Sequence, residues 1–213
     1  MIQARWVAKK LEDEVRCHYL SYKPKDLIDA IWEKHQTHIS YGTAWRARIK
    51  IMEMIYGNYE ESYKLGPALC YQMIKRNPGG VASCSRDHNT EQFTSLCIAF
   101  RATLDGWKAG CRPVLGLDGC HLKGKYGGVL LSITGLDGNN GLYPIAIYIC
   151  RSEGYHTWKD FLQQLEYEIK DHPQAVTFIS DQQKGLNSVI HEIFPGSEQR
   201  FCFRLVFIYP PLL

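Results

Sequence analysis

Hydrophobic residues recur with a helical period through the first third of the chain. Pro24 suits the first turn of a helix, Thr43 is a candidate N-terminal cap, and Gly57 with Asn58 ends the helical pattern that Thr43 opens. The segments with this spacing are 4–19, 24–35, 43–56 and 67–75. The pattern predicts an α-helical region over residues 1–78.

A different pattern follows, typical of strands. Residues 79–112 are mixed, with a polar, turn-rich stretch and then one strand and one short helix, so we interpret them as a connecting region. Residues 113–207 alternate in the order β-β-β-α-β-α-β. The strands are predicted at 113–122, 129–136, 142–150, 175–180 and 200–207, and the helices at 157–170 and 184–194. This order predicts an α/β fold in which an antiparallel meander is followed by parallel strands.

Composition is that of an ordinary globular protein. Of the 213 residues, 45% are apolar and 22% are charged, which argues against a disordered or coiled-coil chain. The longest apolar stretches, such as 142–150, are far shorter than the roughly 20 residues that a bilayer span needs. The charged N-terminal segment does not resemble a secretory signal peptide. We therefore expect no membrane partner.

Charge and cysteine content narrow the class of protein further. The net charge is +3, and residues 1–80 hold 13 basic and 9 acidic side chains, which permits a nucleic-acid partner without requiring one. The eight cysteines contain no C-x-x-C pair and no compact Cys/His cluster, so we expect no zinc. Without an export sequence, they indicate reduced thiols in a cytosolic or nuclear protein.

Two aspartates are candidates for a metal site. Asp118 lies inside the first strand of the meander, where a charge is costly unless it is paired or bound to a metal, and Asp181 directly follows the fourth strand. If these strands are neighbours, the carboxylates converge at one end of the sheet and offer the oxygen ligands that Mg²⁺ uses. The alternative is that both are turn or capping residues. His121 is an odd number of positions from Asp118, so we expect it on the opposite face and not as a ligand.

Two long sequence blocks resemble a known family. GLDGCHLKGKYGGVLLSITGLDGNNGLYPIAI at 116–147 and FISDQQKGLNSVIHEIFPGSEQRFCFR at 178–204 are similar to the transposase domain of plant Mutator-like elements (MULE, MuDR-type). The resemblance implies an RNase H-like mixed sheet with a DDE-type metal site, in which Asp118 and Asp181 match the first two catalytic acids. It further implies Mg²⁺ or Mn²⁺ as the cofactor, DNA with terminal inverted repeats as the partner, and a nuclear location.

The sequence departs from the family near its C-terminus. The third acid of the family is a Glu on a helix beyond the fifth strand, whereas the remaining acids here are Glu192 and Glu198, and neither matches that position. The C-x-x-H pair of the family is broken, because Leu205 stands three residues after Cys202. The tail at 208–213 does not resemble the family. We therefore expect a truncated fragment with weak or vestigial cation binding, C-terminally incomplete and lacking the third catalytic acid.

Basic residues in two places are candidates for DNA contacts. A helix–turn–helix-like pattern covers residues 26–56, and the alternative for its second helix is a solvated amphipathic face with Trp45 in the core. For the lysines near the aspartates, the alternative is ordinary solvated side chains. The candidates are Arg46, Arg48 and Lys50 in that second helix, and Lys123, Lys125 and Lys184 after the aspartates.

Three functions are compatible with these observations. The first is a transposase-derived domain with an incomplete catalytic centre that still binds DNA. The second is an active DDE enzyme whose third acid comes from Glu192, Glu198 or another chain. The third is a non-catalytic DNA-binding or interaction remnant that acts as a domesticated regulator. In each case the chain is divided into a helical region (1–78), a connecting region (79–112), a partial transposase domain (113–207) and a tail (208–213).

Overall fold

A computed structural model describes residues 3–18, 22–123, 126–181 and 185–201. The chain divides into two compact units, Met1–Leu65 and Gly66–Leu213. This boundary lies earlier than the predicted one at residue 78, because the helix that starts at Gly66 packs against a strand of the second unit. No helix in the described parts of the chain is long and apolar enough to cross a membrane.

The first unit is helical, as the sequence pattern predicts. Its helices are α1 (Ala4–His18), α2 (Pro24–His35), α3 (Tyr41–Tyr56) and α4 (Tyr59–Lys64). Apolar side chains such as Leu11, Ile31 and Ile51 form its buried core, where α1 and α2 pack on α3. The predicted cap Thr43 is wrong, because the helix begins earlier and Ser40 Oγ accepts a hydrogen bond from the Thr43 N–H at 3.2 Å.

The second unit is built on one mixed sheet. Its elements are α5 (Gly66–Arg76), β1 (Val81–Arg86), β2 (Phe93–Ala99), α6 (Arg101–Gly110), β3 (Cys111–His121), β4 (Val129–Asp137), β5 (Leu142–Cys150), α7 (Tyr155–Lys170), β6 (Thr177–Ser180), α8 (Leu186–Ile193) and β7 (Glu198–Phe201). The seven strands lie in the order β1-β2-β5-β4-β3-β6-β7. From β3 onward the predicted order β-β-β-α-β-α-β is confirmed, with an antiparallel meander followed by parallel β6 and β7. The rest of the last predicted strand, 202–207, lies outside the described residues, as does the tail.

The segment 79–112 is part of this sheet and not only a connection. β1 pairs with β2, and β2 pairs with β5 in antiparallel register, so the sheet extends by two strands beyond the meander. The sequence of β1, VASCSR, is short, small and polar, and it lies at an edge of the sheet. Such a strand lacks the apolar run by which a strand is predicted.

One face of the sheet carries most of the core. Leu115 and Leu117 of β3 are buried together with apolar side chains of α7 such as Phe161, whose ring stacks on Tyr148 of β5 at 5.1 Å. Because side chains alternate along a strand, the intervening residues of β3 point to the other face. Asp118 is one of these and is exposed. The sheet thus presents this carboxylate to solvent above a packed core.

Candidate metal and nucleic-acid site

Strand pairing brings the two candidate aspartates to neighbouring positions. β3 and β6 run parallel, and the last residue pair between them joins Leu117 to Ser180. Asp118 and Asp181 each come one residue after this pair, so they take neighbouring positions, Asp118 within β3 and Asp181 just beyond the end of β6. Parallel strands in register present paired residues on the same face. The predicted adjacency of the first and fourth strands of the meander domain is therefore confirmed.

Asp118 is more exposed in the structure than its position inside an apolar strand suggested. Asp118 is exposed and its Oδ1 accepts a hydrogen bond from the Gly119 N–H at 2.9 Å. Because the carboxylate is exposed, its charge needs no metal to offset a cost of burial. The burial cost that made Asp118 a candidate in the sequence is therefore absent. Asp181 is half-buried beyond the end of β6.

A third carboxylate, Glu153, lies against Gly119 of β3 and was not singled out in the sequence. Glu153 is in the connection between β5 and α7 and is half-buried. A Cβ built on Gly119 would stand only 2.7 Å from Glu153 Oε2, so the carboxylate occupies the space that a side chain at position 119 would fill. Glu153 Oε1 accepts a hydrogen bond from Trp158 Nε1 at 3.0 Å.

Electrostatics connect Glu153 to both aspartates. Burial raises the pKa of the Glu153 carboxyl above its ordinary value, against the Trp158 hydrogen bond, which lowers it. The negative charges of Asp181 and Asp118 raise this pKa further, whereas the nearby His121 lowers it. The negative charges of both aspartates therefore act on the Glu153 carboxyl.

The two acids proposed from the sequence as replacements for the third catalytic Glu have other partners. Glu192 on α8 accepts hydrogen bonds from Lys159 and Tyr155 of α7, and Lys159 lowers its pKa. Glu198 on β7 is exposed and pairs with Arg200 at 2.9 Å.

Of the basic candidates near the aspartates, the structure places one. Lys123 is exposed two residues after β3 ends. Lys125 and Lys184 lie outside the described residues. His121 is exposed at the last position of β3, and the alternation of the strand sets it on the face opposite Asp118, as expected.

The basic candidates on α3 fall into two kinds. Arg46 and Lys50 are exposed and one helical turn apart, so they share a face. Trp45 is also exposed, with 52% of its surface accessible, so the alternative that placed it in the core is wrong. Arg48 is half-buried, and its Nε donates a hydrogen bond to the Tyr22 carbonyl oxygen at 2.7 Å.

The donor chemistry of the edge fits a hard divalent cation. Asp118 and Asp181 supply carboxylate oxygens, which Mg²⁺ and Mn²⁺ prefer over sulfur ligands. Glu153 fills the Cβ position of Gly119, which lies on the face of β3 opposite the Asp118 side chain. Among the described residues, no three His, Cys, Asp or Glu side chains are already arranged around one metal position.

A comparison with known protein families matches the segment of the chain that contains the two aspartates. Residues 114–208 match the family model of the MULE transposase domain. The matched segment includes Asp118, Glu153 and Asp181, and it begins within β3. No curated protein matches the chain. The segment is therefore similar to a MULE transposase domain, and transposase domains in general bind DNA.

Proposed function

We propose that this protein is related to MuDR-type DDE transposases and contains an RNase H-like domain, and that it binds DNA and a divalent cation at Asp118 and Asp181. The observation that carries the proposal is the parallel pair Leu117–Ser180, which sets the two aspartates side by side within the segment that matches the MULE transposase domain.

The chemistry that such a site supports is phosphoryl transfer. A cation held there, Mg²⁺ or Mn²⁺, supplies charge neutralisation for the phosphate and activation of an oxygen nucleophile. The aspartates would hold the cation, and Lys123 at the same end of β3 would contact the DNA backbone. The protein would act in the nucleus on the terminal inverted repeats of an element.

We further propose that neither Glu192 nor Glu198 supplies the third catalytic acid. Glu192 and Glu198 do not match the position of the third family Glu. Both form ion pairs within the protein, Glu192 with Lys159 and Glu198 with Arg200. The second candidate function is a non-catalytic DNA-binding regulator, and the exposed basic face of α3 favours it. The two functions differ in whether cation binding at the aspartates is retained.

Cation titration tests the proposal. We expect Mn²⁺ to bind the full chain with a measurable calorimetric heat, and the double variant Asp118→Asn/Asp181→Asn to abolish that heat because it removes both negative charges. A matched control is Asp105→Asn on α6, an exposed carboxylate that pairs with Arg101. Equal Mn²⁺ affinity in the wild type and the double variant would refute the cation site. Metal-dependent joining of terminal-repeat DNA that is lost in Asp181→Asn would show instead an active transposase.

A further inference from the structure

We infer that the exposed face of α3 binds the unpaired bases of single-stranded DNA, which stack on Tyr41 and Trp45. The neighbouring cations Arg46 and Lys50 contact the phosphates of the same strand. This inference rests on the DNA binding proposed above and is independent of the cation site at the aspartates. It adds to that function the kind of DNA that is bound and the side chains that distinguish unpaired from paired bases.

The exposed positions of α3, a helix that the structure describes throughout, differ in composition from those of α1 and α2. They include the cations Arg46 and Lys50 and no acidic side chain, and three of them are aromatic. The exposed positions of α1 and α2 instead mix acidic with basic side chains. A polyanion is therefore the partner whose charge complements the exposed face of α3.

Two of the aromatic side chains on this face lie side by side. Tyr41 and Trp45 are one helical turn apart, so they are neighbours on the helix surface, and they are 62% and 52% exposed. The exposed Trp32 of α2 has one face of its ring covered, because the ring stacks on His38 at 4.1 Å. Among the described residues, no other aromatic ring lies against Trp45. Aromatic side chains that are open in this way are platforms on which unpaired bases stack.

The cations next to the aromatic pair are available for phosphates. In the described parts of the chain, neither Arg46 nor Lys50 forms a hydrogen bond or an ion pair, whereas Arg48 donates to the Tyr22 carbonyl oxygen. Gly42, one turn before Arg46, adds no side chain, and a Cβ built there would meet no atom within 4 Å. The surface between the aromatic pair and the cations is therefore open to a strand of DNA.

The aromatic pair is the reason to expect unpaired bases. In a duplex the flat faces of the bases stack on one another, so a side chain on a protein surface cannot stack on them, whereas a single strand leaves these faces accessible. Phosphates are present in both forms of DNA, so contacts from Arg46 and Lys50 do not distinguish them. The preference for a single strand therefore depends on Tyr41 and Trp45.

The test compares the binding of the full chain to a labelled oligo-dT strand and to a duplex of the same length, by fluorescence anisotropy. Trp45→Ala should raise the dissociation constant for oligo-dT about fivefold or more, because one stacked base is lost, and should leave duplex binding unchanged. Trp45→Phe keeps an aromatic face and should retain most of the affinity. Trp32→Ala is the matched control and should bind as the wild type does. Thermal unfolding of each variant checks that it is folded during the titration.

Salt dependence separates stacking from charge. Trp45→Ala should lower the affinity for oligo-dT by the same factor at every salt concentration, because stacking releases no counterions. Arg46→Ala/Lys50→Ala should instead reduce the magnitude of the slope of log K against log salt concentration by about 1.4, since each phosphate contact on a single strand contributes about 0.7. Oligo-dT should also quench the tryptophan fluorescence of the wild type, and this quenching should be smaller in Trp45→Phe.

The outcomes separate this inference from the proposed function. If Trp45→Ala binds oligo-dT as the wild type does, or loses duplex affinity to the same extent, the stacking surface is refuted and DNA binding stands. If the wild type binds neither form of DNA at low salt, both fail. Tighter binding of oligo-rU than of oligo-dT would overturn the assignment to DNA. Self-association that Trp45→Ala abolishes in sedimentation velocity would show a contact between copies of this chain instead. A loss confined to oligo-dT in Trp45→Ala, with Trp32→Ala unchanged, establishes the surface.

Discussion

The basic face of α3 allows a quantitative test of DNA binding by the helical unit. The perturbation is the double variant Arg46→Ala/Lys50→Ala, which removes two exposed cations one turn apart. Arg48 lies between them in sequence but binds the Tyr22 carbonyl. The structure therefore distinguishes Arg46 and Lys50, which are exposed and can contact phosphate, from Arg48, which stabilises the fold.

The magnitude follows from counterion release. Each phosphate contact with duplex DNA contributes about 0.9 to the slope of log K against log salt concentration. If Arg46 and Lys50 each neutralise one phosphate, the double variant should reduce the magnitude of the slope by about 1.8. Arg48→Ala should leave the slope unchanged. It should instead lower the free energy of unfolding of the helical unit by about 1–2 kcal/mol, since a hydrogen bond from a charged donor is lost at a half-buried site.

The assay is fluorescence anisotropy of a labelled duplex of arbitrary sequence, titrated with the full chain between about 50 and 200 mM salt. The matched control is Lys9→Ala/Lys10→Ala, which removes two exposed lysines from α1 and the same net charge. If the α3 variant keeps the wild-type slope, α3 does not contact the phosphates. If both double variants reduce the slope equally, the effect is one of net charge and the assignment to this face is refuted.

Two further predictions concern the sheet unit. Glu168→Gln should lower its free energy of unfolding, measured by urea denaturation, by about 1.5–3 kcal/mol, because the buried side chain loses its charge and one of the two oxygens that accept from Arg101 and Lys108. A loss of about 3–5 kcal/mol is not expected, since each cation keeps a second carboxylate. Thiol labelling should modify the exposed Cys120 quickly, and Cys120→Ser should abolish that modification. Burial raises the pKa of Cys97 to about 12, so this thiol should stay protonated and unreactive at pH 8 until the protein unfolds. Rapid labelling of Cys97 in the folded protein would contradict the packing.

Much of the fold follows from local patterns in the sequence. The apolar runs that became β4 and β5 and the amphipathic stripe of α7 were predicted nearly to the residue, because long buried strands and helices impose clear periods. The adjacency of β3 and β6 followed from the crossover rules for parallel strands. These features place the aspartates together, which is why the core of the candidate site could be predicted.

Other features depend on tertiary contacts that no local pattern records. β1 is a strand because β2 pairs with it, although its own residues are small and polar. Asp118 is exposed because its side chain lies on the face of the sheet opposite the buried leucines of β3. The apolar run around it in the sequence suggested a buried position instead. Glu153 lies three residues beyond β5, so its contact with Gly119 depends on the path of the connection into α7.

The parallel pairing of β3 with β6 has a consequence for the order of assembly. β3, β4 and β5 can pair as the chain is synthesised, because short turns join them, whereas β6 reaches β3 only after α7 has been made and has crossed the sheet. Contacts between segments distant in sequence form late, since the intervening loop must first close. Asp118 and Asp181 therefore become neighbours only after α7 has been made and β6 has paired with β3.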